Sequence, residues 1–375
     1  MASKDLVIGD MHFGRKNNSR ERHSDTMLFV EKFLLPLAKK VAASSSEARL
    51  VLTGDLSDSK QVIETFIAND MYDSVKELST YIPVDGYVGN HDLFSRVDGK
   101  TYSTMKPFTW MPGVRMHEEY FVDEKTDTAF LPFYKSKTDE LNFIEQCEAS
   151  VIYTHTEYSG FWYENKMIEE SLRSIKPEAM VKFKRVINGH IHGKQVQGNI
   201  LIVGTPYQLK YAEYKNTPHV HIYDHATNKV QSIENKFSPK FKIFHFFNFL
   251  DKTVSEATEE VTNNYGRIIT PGEFFEKIDV NKIIGCLSEA KYKELGFDPV
   301  RSVNRDDIPQ AEGEEELRIS SVIDIRLKYE SYIFDQIQIN GALIDDDLRN
   351  RLTADFREMY TEAEQNMNVN DLEFS

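Results

Sequence analysis

Apolar and polar positions along the first quarter of the chain form blocks with two different periods. Leu6 to Ile8 and Leu50 to Leu52 are short apolar stretches, and Ile82-Pro83-Val84 to Tyr87-Val88 is a third strand-like segment. Such runs are typical of buried parallel strands. Between them, apolar residues recur every three or four positions, which predicts two helices. The helical positions are Leu28, Phe29, Phe33 and Leu37, and then Val62, Ile63, Phe66, Ile67, Met71, Val75 and Leu78. This order predicts a parallel α/β sheet covered on both faces by helices.

Strand patterns outnumber helical ones in the part of the chain that follows. The strand candidates cover residues 128–133, 150–154, 184–187, 199–203 and 219–223. So many strands fit two packed sheets better than one doubly wound sheet. We therefore predict an α/β fold, a two-sheet sandwich flanked by helices.

A break near Lys236 to Pro239 separates this part from the rest of the chain. We predict a first domain over 1–236 and a small α+β domain over 237–305, followed by an acidic linker over 306–316. The last region, 317–375, has two helical patterns separated by the turn signal Asn340-Gly341 and is predicted to form a helix pair.

Composition places the chain among globular proteins. It has 375 residues, of which 40% are hydrophobic, and only two cysteines. No apolar run approaches the roughly 20 residues that span a bilayer, and the first residues lack the pattern of a signal peptide. We expect a soluble protein of a reducing compartment, the cytoplasm, with no membrane partner.

The net charge of −15 is concentrated in two segments. Residues 306–316 carry −6, and residues 339–375 carry another −6. This acidic balance argues against a basic coat for nonspecific nucleic-acid binding. The remainder of the chain is close to neutral, so the total charge predicts little about the surface around a site.

Most of the strand-like runs end in a short polar motif. The five motifs are Asp10-Met11-His12, Gly54-Asp55, Gly89-Asn90-His91-Asp92, Thr154-His155 and Gly189-His190-Ile191-His192. Ligands of such sheets bind beyond the carboxyl ends of the strands. Carboxylate, imidazole and amide oxygen are the ligands of a two-metal hydrolase, whose ions lie roughly 3.5–4 Å apart. Asp55 is the natural bridge, because a carboxylate can give one oxygen to each ion.

Each motif alone is a weak signal. A single Asp-x-His is more often part of a surface loop than a pair of metal ligands, and Gly-Asp is common at turns. His219-Val220-His221 repeats the H-x-H pattern inside an alternating strand, without a preceding glycine, and is interpreted as an ordinary strand pair. The prediction of a metal site depends on five motifs that agree in order, type and position.

The motifs D-x-H, GD, GNHD, a lone His and GHIH, in this order over residues 5–210, resemble those of the calcineurin-like metallophosphoesterase superfamily. Protein phosphatases of that superfamily usually have GDxxDRG and GNHE. This chain has Gly54-Asp55-Leu56-Ser57-Asp58-Ser59-Lys60, without the arginine, and GNHD. The layout, together with Gly204-Thr205-Pro206, is more similar to SbcD-type DNA double-strand-break repair nucleases, and above all to the recombination endonuclease subunits of tailed phages.

The resemblance implies two ligand sets. One ion would be held by Asp10, His12, Asp55 and His192, and the other by Asp55, Asn90, His155 and His190. His91 would be the catalytic general acid or transition-state stabiliser, oriented by Asp92. Manganese is the ion that the superfamily prefers, although the ligand set does not exclude iron, zinc or magnesium.

The resemblance further implies a DNA nuclease subunit with double-strand 3′→5′ exonuclease and single-strand endonuclease activity, acting in recombination and double-strand-break processing. Its partners would be DNA, a second copy of the chain and an SbcC-type, SMC-like coiled-coil ATPase docked on the C-terminal helices. The compartment would be the host cytoplasm if a phage encodes the protein. The alternatives are a metallophosphatase or phosphodiesterase for small nucleotides or phosphoproteins, and a scaffold without activity.

Two surface features have open interpretations. Arg15, Lys16, Arg20 and Arg22 either contact DNA phosphates or form a solvated loop. The aromatic residues after His155, which are Tyr158, Phe161, Trp162 and Tyr163, either stack on an unpaired base or anchor a loop by packing.

Overall fold

The computed structural model describes residues 3–97, 100–133, 136–164, 166–245, 252–269, 292–295 and 298–299. The chain divides into two units, Met1–Pro239 and Lys240–Ser375. None of the helices in these described ranges is long and apolar enough to cross a membrane. The predicted acidic linker and both C-terminal helices lie outside the described residues.

The first unit contains two six-stranded mixed sheets. The first sheet has the order β18-β17-β1-β2-β3-β6, in which β1, β2, β3 and β6 are parallel. The two remaining strands continue from β1 in antiparallel pairing. The bounds of its strands are β1 Lys4–Ile8, β2 Ala48–Leu52, β3 Val84–Tyr87, β6 Val114–His117, β17 His219–Asp224 and β18 Lys229–Glu234.

The second sheet repeats this plan in the order β15-β16-β14-β9-β8-β7. Its four central strands are parallel, and an antiparallel strand lies at each edge. Its strands are β7 Phe121–Asp123, β8 Thr128–Leu131, β9 Val151–Thr154, β14 Arg185–Asn188, β15 Gln195–Gln197 and β16 Ile200–Ile202. In both sheets, therefore, the four parallel strands finish on the same side of the sheet. The carboxyl ends of these strands form the edge at which the motifs follow.

Continuous apolar runs arise because each central strand is buried on both faces. Side chains of a strand alternate between the faces of its sheet. In β1, Val7 packs between the two sheets, whereas Leu6 and Ile8 pack under the helices. In β14, Ile187 lies between the sheets and Val186 lies on the outer side. The predicted two-sheet α/β sandwich flanked by helices is confirmed.

Helices cover the outer faces. The first predicted helix comprises α1, a π-helical turn at Val30–Leu34 and α2. Pro36 lies at the start of α2, where its missing N–H removes one regular helical hydrogen bond, and the wider π turn bridges this point. The bounds of the four longer helices in this unit are α1 Arg20–Phe29, α2 Leu35–Ser44, α3 Thr65–Ser79 and α4 Lys137–Gln146. A four-residue helical segment, Arg15–Asn18, precedes α1, and 3₁₀ turns cover Lys106–Trp110, Pro177–Met180 and Tyr211–Glu213.

Short strands between the main elements form three small two-stranded sheets. These are β4 Leu93–Val97 with β5 Lys100–Ser103, β10 Glu157–Tyr158 with β13 Ser174–Ile175, and β11 Trp162–Tyr163 with β12 Lys166–Met167. The described part of the second unit contains a further four-stranded sheet and one helix. Its elements are β19 Phe241–His245, α5 Val254–Val261, β20 Tyr265–Ile269, β21 Tyr292–Leu295 and β22 Asp298–Pro299.

Candidate metal centre

Loops that follow five parallel strands meet at one edge of the sandwich. β1, β2 and β3 lead to Asp10, Asp55 and Asn90, while β9 and β14 lead to His155 and His190. Three groups of side chains result. Asp10, His12 and His192 form the first group, and Asp55, His155 and His190 form the second. The third consists of His12, Asp58 and His91 and shares His12 with the first. Within each group, the potential ligand atoms all lie within 4.8 Å of one another.

Asp55 belongs to the second group and also faces His12 of the first. One of its carboxylate oxygens, Oδ2, is 3.9 Å from Nε2 of His12 and 3.3 Å from Nε2 of His155. The other oxygen, Oδ1, accepts the backbone N–H of His91 at 2.8 Å. The carboxylate therefore faces imidazoles of the first and second groups, as a bridging ligand must.

Asn90 completes the second group. Its side-chain oxygen lies 3.0 Å from Nε2 of His155 and 2.7 Å from Nδ1 of His190. The rings of these two histidines are 5.0 Å apart. All seven predicted metal ligands thus lie together at this edge.

The backbone is strained at three of these residues. His12, Asp55 and His190 have φ values of 48°, 47° and 69°. Non-glycine residues rarely adopt positive φ, at a cost of about 1–3 kcal/mol each, and such residues cluster at functional sites. The surrounding fold therefore holds these side chains in place at the expense of stability.

Two glycines permit the loops to approach one another. A Cβ atom at Gly89 would lie 2.1 Å from Oδ1 of Asp55. At Gly189 it would lie 2.4 Å from the carbonyl oxygen of Thr53 and 2.7 Å from Oδ1 of Asp10. The motifs GNHD and GHIH thus need glycine for close packing around the carboxylates.

Fixed acceptors orient three of the histidines from outside. Nδ1–H of His12 donates to Oδ1 of Asp58 at 3.0 Å, and that of His192 donates to Oε1 of Glu213 at 2.7 Å. Nδ1–H of His155 donates to the carbonyl of Thr53 at 2.8 Å. These bonds determine which ring nitrogen faces the centre, as in metal sites generally. Sequence reasoning did not assign roles to Asp58 or Glu213.

Burial and mutual charge shift the pKa values of the buried carboxyl groups in opposite directions. Burial raises the pKa of Asp10 to about 7. Burial also raises that of Asp55, but the attraction of His155, a hydrogen bond from it and the attraction of His12 outweigh this and hold the pKa well below its usual value. His155 responds in turn, because Asp55 overcomes the effect of burial and raises the pKa of the imidazole to about 9.

The donor set fits a divalent cation. Both carboxylate oxygens of Asp10 and Nε2 of His12 are buried and have no hydrogen-bond partner among the described residues. Buried polar atoms are nearly always hydrogen-bonded, and an exception needs an explanation, of which a bound ion is one. Oxygen and imidazole donors in this ratio suit manganese, iron, zinc or magnesium, without selecting one.

His91 and Asp92 occupy different environments. The ring of His91 lies 4.8 Å from that of His12, and its Nδ1–H donates to the carbonyl of Asp58 at 2.7 Å. Asp92 is fully buried, and its two oxygens accept the backbone N–H groups of Ser57 and Gly89, both at 2.9 Å. The prediction that Asp92 orients His91 is therefore corrected: the acceptor is the carbonyl of Asp58, while Asp92 joins two loops.

The four predicted phosphate contacts are not equally accessible. Arg15 and Arg22 are buried, and the guanidinium of Arg15 stacks 4.4 Å from the ring centre of Tyr207 and donates to the carbonyl of Gln208. Their burial contradicts both the predicted phosphate contact and the alternative of a solvated loop. Lys16 and Arg20 are exposed, so they stay predicted contacts.

The aromatic residues after His155 divide in the same way. Tyr158 and Phe161 are fully buried, which agrees with a packed loop, whereas Trp162 and Tyr163 are 48% and 40% exposed. His221, in the control motif, is buried and bonded through both nitrogens to the carbonyl of Val203 and the hydroxyl of Ser232. It is a structural histidine, as predicted.

Comparison with known proteins agrees with the geometry. A family model described as Calcineurin-like phosphoesterase matches residues 5–194, just over half of the chain. The protein named Exonuclease subunit 1 of Enterobacteria phage T4 is 24% identical over 193 residues, a match that covers 47% of this chain and 55% of that protein. The chain thus matches about half the length of this curated relative.

A search of the solved structures matches further proteins at low identity and low TM-score. An archaeal phosphodiesterase is 11% identical, with a TM-score of 0.31, over 62% of this chain and 99% of that one. A putative 5′-nucleotidase from Staphylococcus aureus is 12% identical, with a TM-score of 0.38, over 62% of this chain and 53% of that one. A calcineurin-like phosphoesterase from Bacillus subtilis is 10% identical, with a TM-score of 0.35, over 62% of this chain and 88% of that one.

Proposed function

The chain belongs to the calcineurin-like phosphoesterase family, and on that premise we propose that it is a DNA nuclease subunit that hydrolyses phosphodiester bonds with two divalent ions. The observation that carries the hydrolytic part is the position of Asp55, whose Oδ2 faces imidazoles of the first and second side-chain groups. One ion is assigned to Asp10, His12, Asp55 and His192. The other is assigned to Asp55, Asn90, His155 and His190, and manganese is the proposed ion for both.

The residues of the chain have separate tasks in the reaction. Bound ions would lower the pKa of a water molecule and neutralise charge on the phosphodiester. The predicted ligands would hold the ions at the strand ends, and the outer acceptors Asp58 and Glu213 fix the tautomers of His12 and His192. Burial of the carboxylates excludes competing water from their oxygens.

His91 is the proposed proton donor. Its Nδ1–H is bonded to the carbonyl of Asp58, which leaves Nε2 for proton transfer. When the ring is protonated, Nε2–H can donate to the leaving oxygen of the substrate. The backbone N–H of His91 donates to Asp55. This bond keeps the proposed proton donor and the bridging carboxylate at fixed positions relative to each other.

DNA as the substrate is supported by two features outside the ligand set. The phosphatase-type arginine is absent after Asp58, where Ser59 and Lys60 follow. The relative from phage T4 is named as an exonuclease subunit. Exposed Lys16 and Arg20 are proposed to contact the phosphate backbone.

The test is an assay of the full chain with Mn²⁺ on end-labelled duplex and single-stranded DNA, alongside p-nitrophenyl phosphate esters. We expect EDTA to abolish DNA cleavage. The variant Asp55→Asn should lower the cleavage rate at least as much as removal of one metal ion does. Cleavage from 3′ ends of duplexes and within single strands would match the proposed polarities. Hydrolysis of the small esters without any DNA cleavage would instead identify a small-substrate phosphodiesterase.

Partner proteins are part of the same proposal. The helical patterns over 317–375 are proposed to dock on an SMC-like coiled-coil ATPase, and the region around α3 to form a homodimer. Deletion of 340–375 is expected to abolish ATPase binding and leave Mn²⁺-dependent cleavage intact. Unchanged binding would refute the docking role, and a monomeric mass in sedimentation would refute the dimer.

A further inference from the structure

We propose that the aromatic hairpin, formed by β11 (Trp162–Tyr163) and β12 (Lys166–Met167), binds unpaired bases of single-stranded DNA beside the metal centre. The inference rests on the proposed function, since it names the part of the substrate that is held next to the hydrolysed bond. It is carried by the exposure of the hairpin, by its attachment to the centre and by the arrangement of its faces.

Three large apolar side chains of the hairpin are exposed to solvent. The exposed fractions are 48% for Trp162, 40% for Tyr163 and 52% for Met167. Single exposed apolar residues are common on protein surfaces, but a group of them with aromatic rings is typical of a binding surface. The neighbouring Tyr158 and Phe161 are fully buried, so exposure sets Trp162 and Tyr163 apart from the other aromatic residues of the same segment.

The hairpin lies against the loop that carries His192. The ring centres of Tyr163 and His192 are 6.5 Å apart. Backbone N–H of Trp162 donates to Oε1 of Gln195 at 2.8 Å, and Nε2 of Gln195 donates to the carbonyl of Trp162 at 2.7 Å. Glu164 in the turn forms an ion pair with Lys210. A surface already fixed in this way loses little conformational entropy when it binds a ligand.

The pairing of the two strands separates the aromatic rings. Trp162 lies opposite Met167, and Tyr163 lies opposite Lys166. Because side chains alternate along a strand, Trp162 and Met167 share one face, while Tyr163 and Lys166 share the other. One face thus offers an aromatic ring beside a polarisable thioether, and the other offers a ring beside the candidate metal ligands and a positive charge for phosphate.

These features suit single-stranded DNA better than a duplex. Every base has a flat face that can stack on an aromatic ring, whatever the sequence. In a duplex, neighbouring base pairs cover those faces, so only an unpaired or splayed base can reach the ring. The adjacency to a centre that is proposed to hydrolyse phosphodiesters favours this substrate over a docked protein as the occupant.

The natural tryptophan content permits a direct test. The chain has two tryptophans, Trp110 and Trp162, so Trp110→Phe leaves Trp162 as the sole tryptophan. Titration of this full-length variant with a short oligothymidylate in EDTA, where nothing is cut, should quench its fluorescence to saturation. An abasic oligomer of the same length and a blunt duplex should quench it much less.

Affinity variants provide the second measurement, by fluorescence anisotropy of the labelled oligothymidylate. Trp162→Ala with Tyr163→Ala should weaken binding roughly 5- to 100-fold, whereas Trp162→Phe, which keeps a ring, should lose little. Val196→Ala is the matched control, since Val196 is 58% exposed on the neighbouring strand β15, and its affinity should equal that of the wild type.

Three outcomes overturn the proposal: equal quenching by the abasic oligomer, absence of quenching, or wild-type affinity of the double alanine variant. The proposed function is judged separately, by Mn²⁺-dependent cleavage with the same preparation. Cleavage without quenching refutes only the aromatic hairpin, and saturable quenching without cleavage refutes only the nuclease.

Discussion

Each of three histidines in the centre uses one nitrogen to face the centre and the other to bond a fixed acceptor. The acceptors are Asp58 for His12, the carbonyl of Thr53 for His155 and Glu213 for His192. Glu213 is itself buried and receives a second hydrogen bond from the backbone N–H of Leu209 at 2.7 Å. It is therefore a rigid support, and its effect on ion affinity is testable.

Glu213→Ala is expected to lower Mn²⁺ affinity by roughly 10- to 100-fold, because the outer partner of a metal-binding histidine fixes its orientation and basicity. Glu213→Gln should lose less, since its amide oxygen can still accept the bond from His192. Electron paramagnetic resonance of free Mn²⁺ during titration measures this directly. Glu178→Ala, at an exposed glutamate in another short helical turn, is the control, and equal affinities for all three variants would contradict the role.

His91→Ala is expected to reduce turnover of a phosphodiester roughly 100- to 10,000-fold, as loss of a general acid does, while Mn²⁺ affinity stays unchanged. The reason is that the contact of residue 91 with Asp55 is made by its backbone N–H, which alanine retains. Measurements of turnover and of Mn²⁺ affinity on the same preparation check both expectations. Loss of ion binding would show that the imidazole is a ligand.

Asp92→Asn is expected to destabilise the fold by about 1–3 kcal/mol, since an amide cannot accept both buried backbone N–H groups. Urea unfolding of the variant and of the wild type measures this. A variant with unchanged stability and lost turnover would instead restore the predicted catalytic role of Asp92.

The seven candidate ligands could be located in the sequence because all of them lie in short motifs directly after apolar runs. The outer acceptors could not. Glu213 is 21 residues from His192 in a separate helical turn, and no spacing rule links the two. Asp58 was visible in its motif, yet its side chain bonds His12 and only its backbone bonds His91. The burial of Arg15 could not be predicted from the sequence either, because its stacking partner Tyr207 is distant in sequence.

At the scale of elements, parallel strand ends bring the motifs together. Four parallel strands in each sheet present their carboxyl ends at one edge, and the loops must pass close to one another there. Apolar runs predicted these strands because both faces of each are buried. The antiparallel edge strands and short hairpins were harder to predict, since few residues in them are buried.

Gly89→Ala is expected to displace the Asp55 carboxylate and to weaken Mn²⁺ binding by at least tenfold, because the new Cβ would lie 2.1 Å from Oδ1. Gly193→Ala is the matched control in the same centre. Its Cβ would lie 3.7 Å from the nearest atom, on Asn216, so it should bind Mn²⁺ as the wild type does. Equal affinities for both variants, in the same titration, would contradict the packing argument.

At the scale of the whole first unit, a buried ionic network joins the two sheets near the amino ends of their strands. Arg49 donates to both oxygens of Asp5 at 2.8 and 3.0 Å, and to Thr128 in the other sheet at 3.1 Å. Tyr153, also in the other sheet, donates to Asp5 at 2.5 Å. Burial raises the pKa of Asp5, but Arg49 and His225 outweigh this and bring it down to about 2.

A lowered pKa makes the network sensitive to acid. Asp5 contributes stability fully above its unfolded pKa of 3.8 and loses it as pH falls towards about 2. The linked contribution is about 2 kcal/mol. Urea unfolding should therefore show Asp5→Asn to be less stable than the wild type at pH 7, with the difference shrinking towards pH 2. Exposed Asp73→Asn is the control, and a difference that is independent of pH would contradict the linkage.

The sequence of the second unit contains the fewest features from which structure and function can be predicted. The predicted linker and helix pair over 306–375 lack motifs with a fixed chemistry. The linker was predicted from its acidic composition and the helices from their apolar periodicity, while the proposed docking role came from the layout of the chain. In the first unit, apolar runs and strand-end motifs support each other, because the same strands that form the core also position the ligands. For the first unit, individual site residues could therefore be predicted. For the second unit, only the bounds and the type of whole segments could be predicted.

The most direct test of a two-metal centre is the number of Mn²⁺ ions bound per chain, measured by equilibrium titration of the full-length protein and of Asp55→Asn. We expect two ions for the wild type and weakened binding of both in the variant, because Oδ2 of Asp55 faces imidazoles of the first and second groups. One ion per chain, or a variant that loses only one of two, would contradict the bridging role and with it the proposed chemistry.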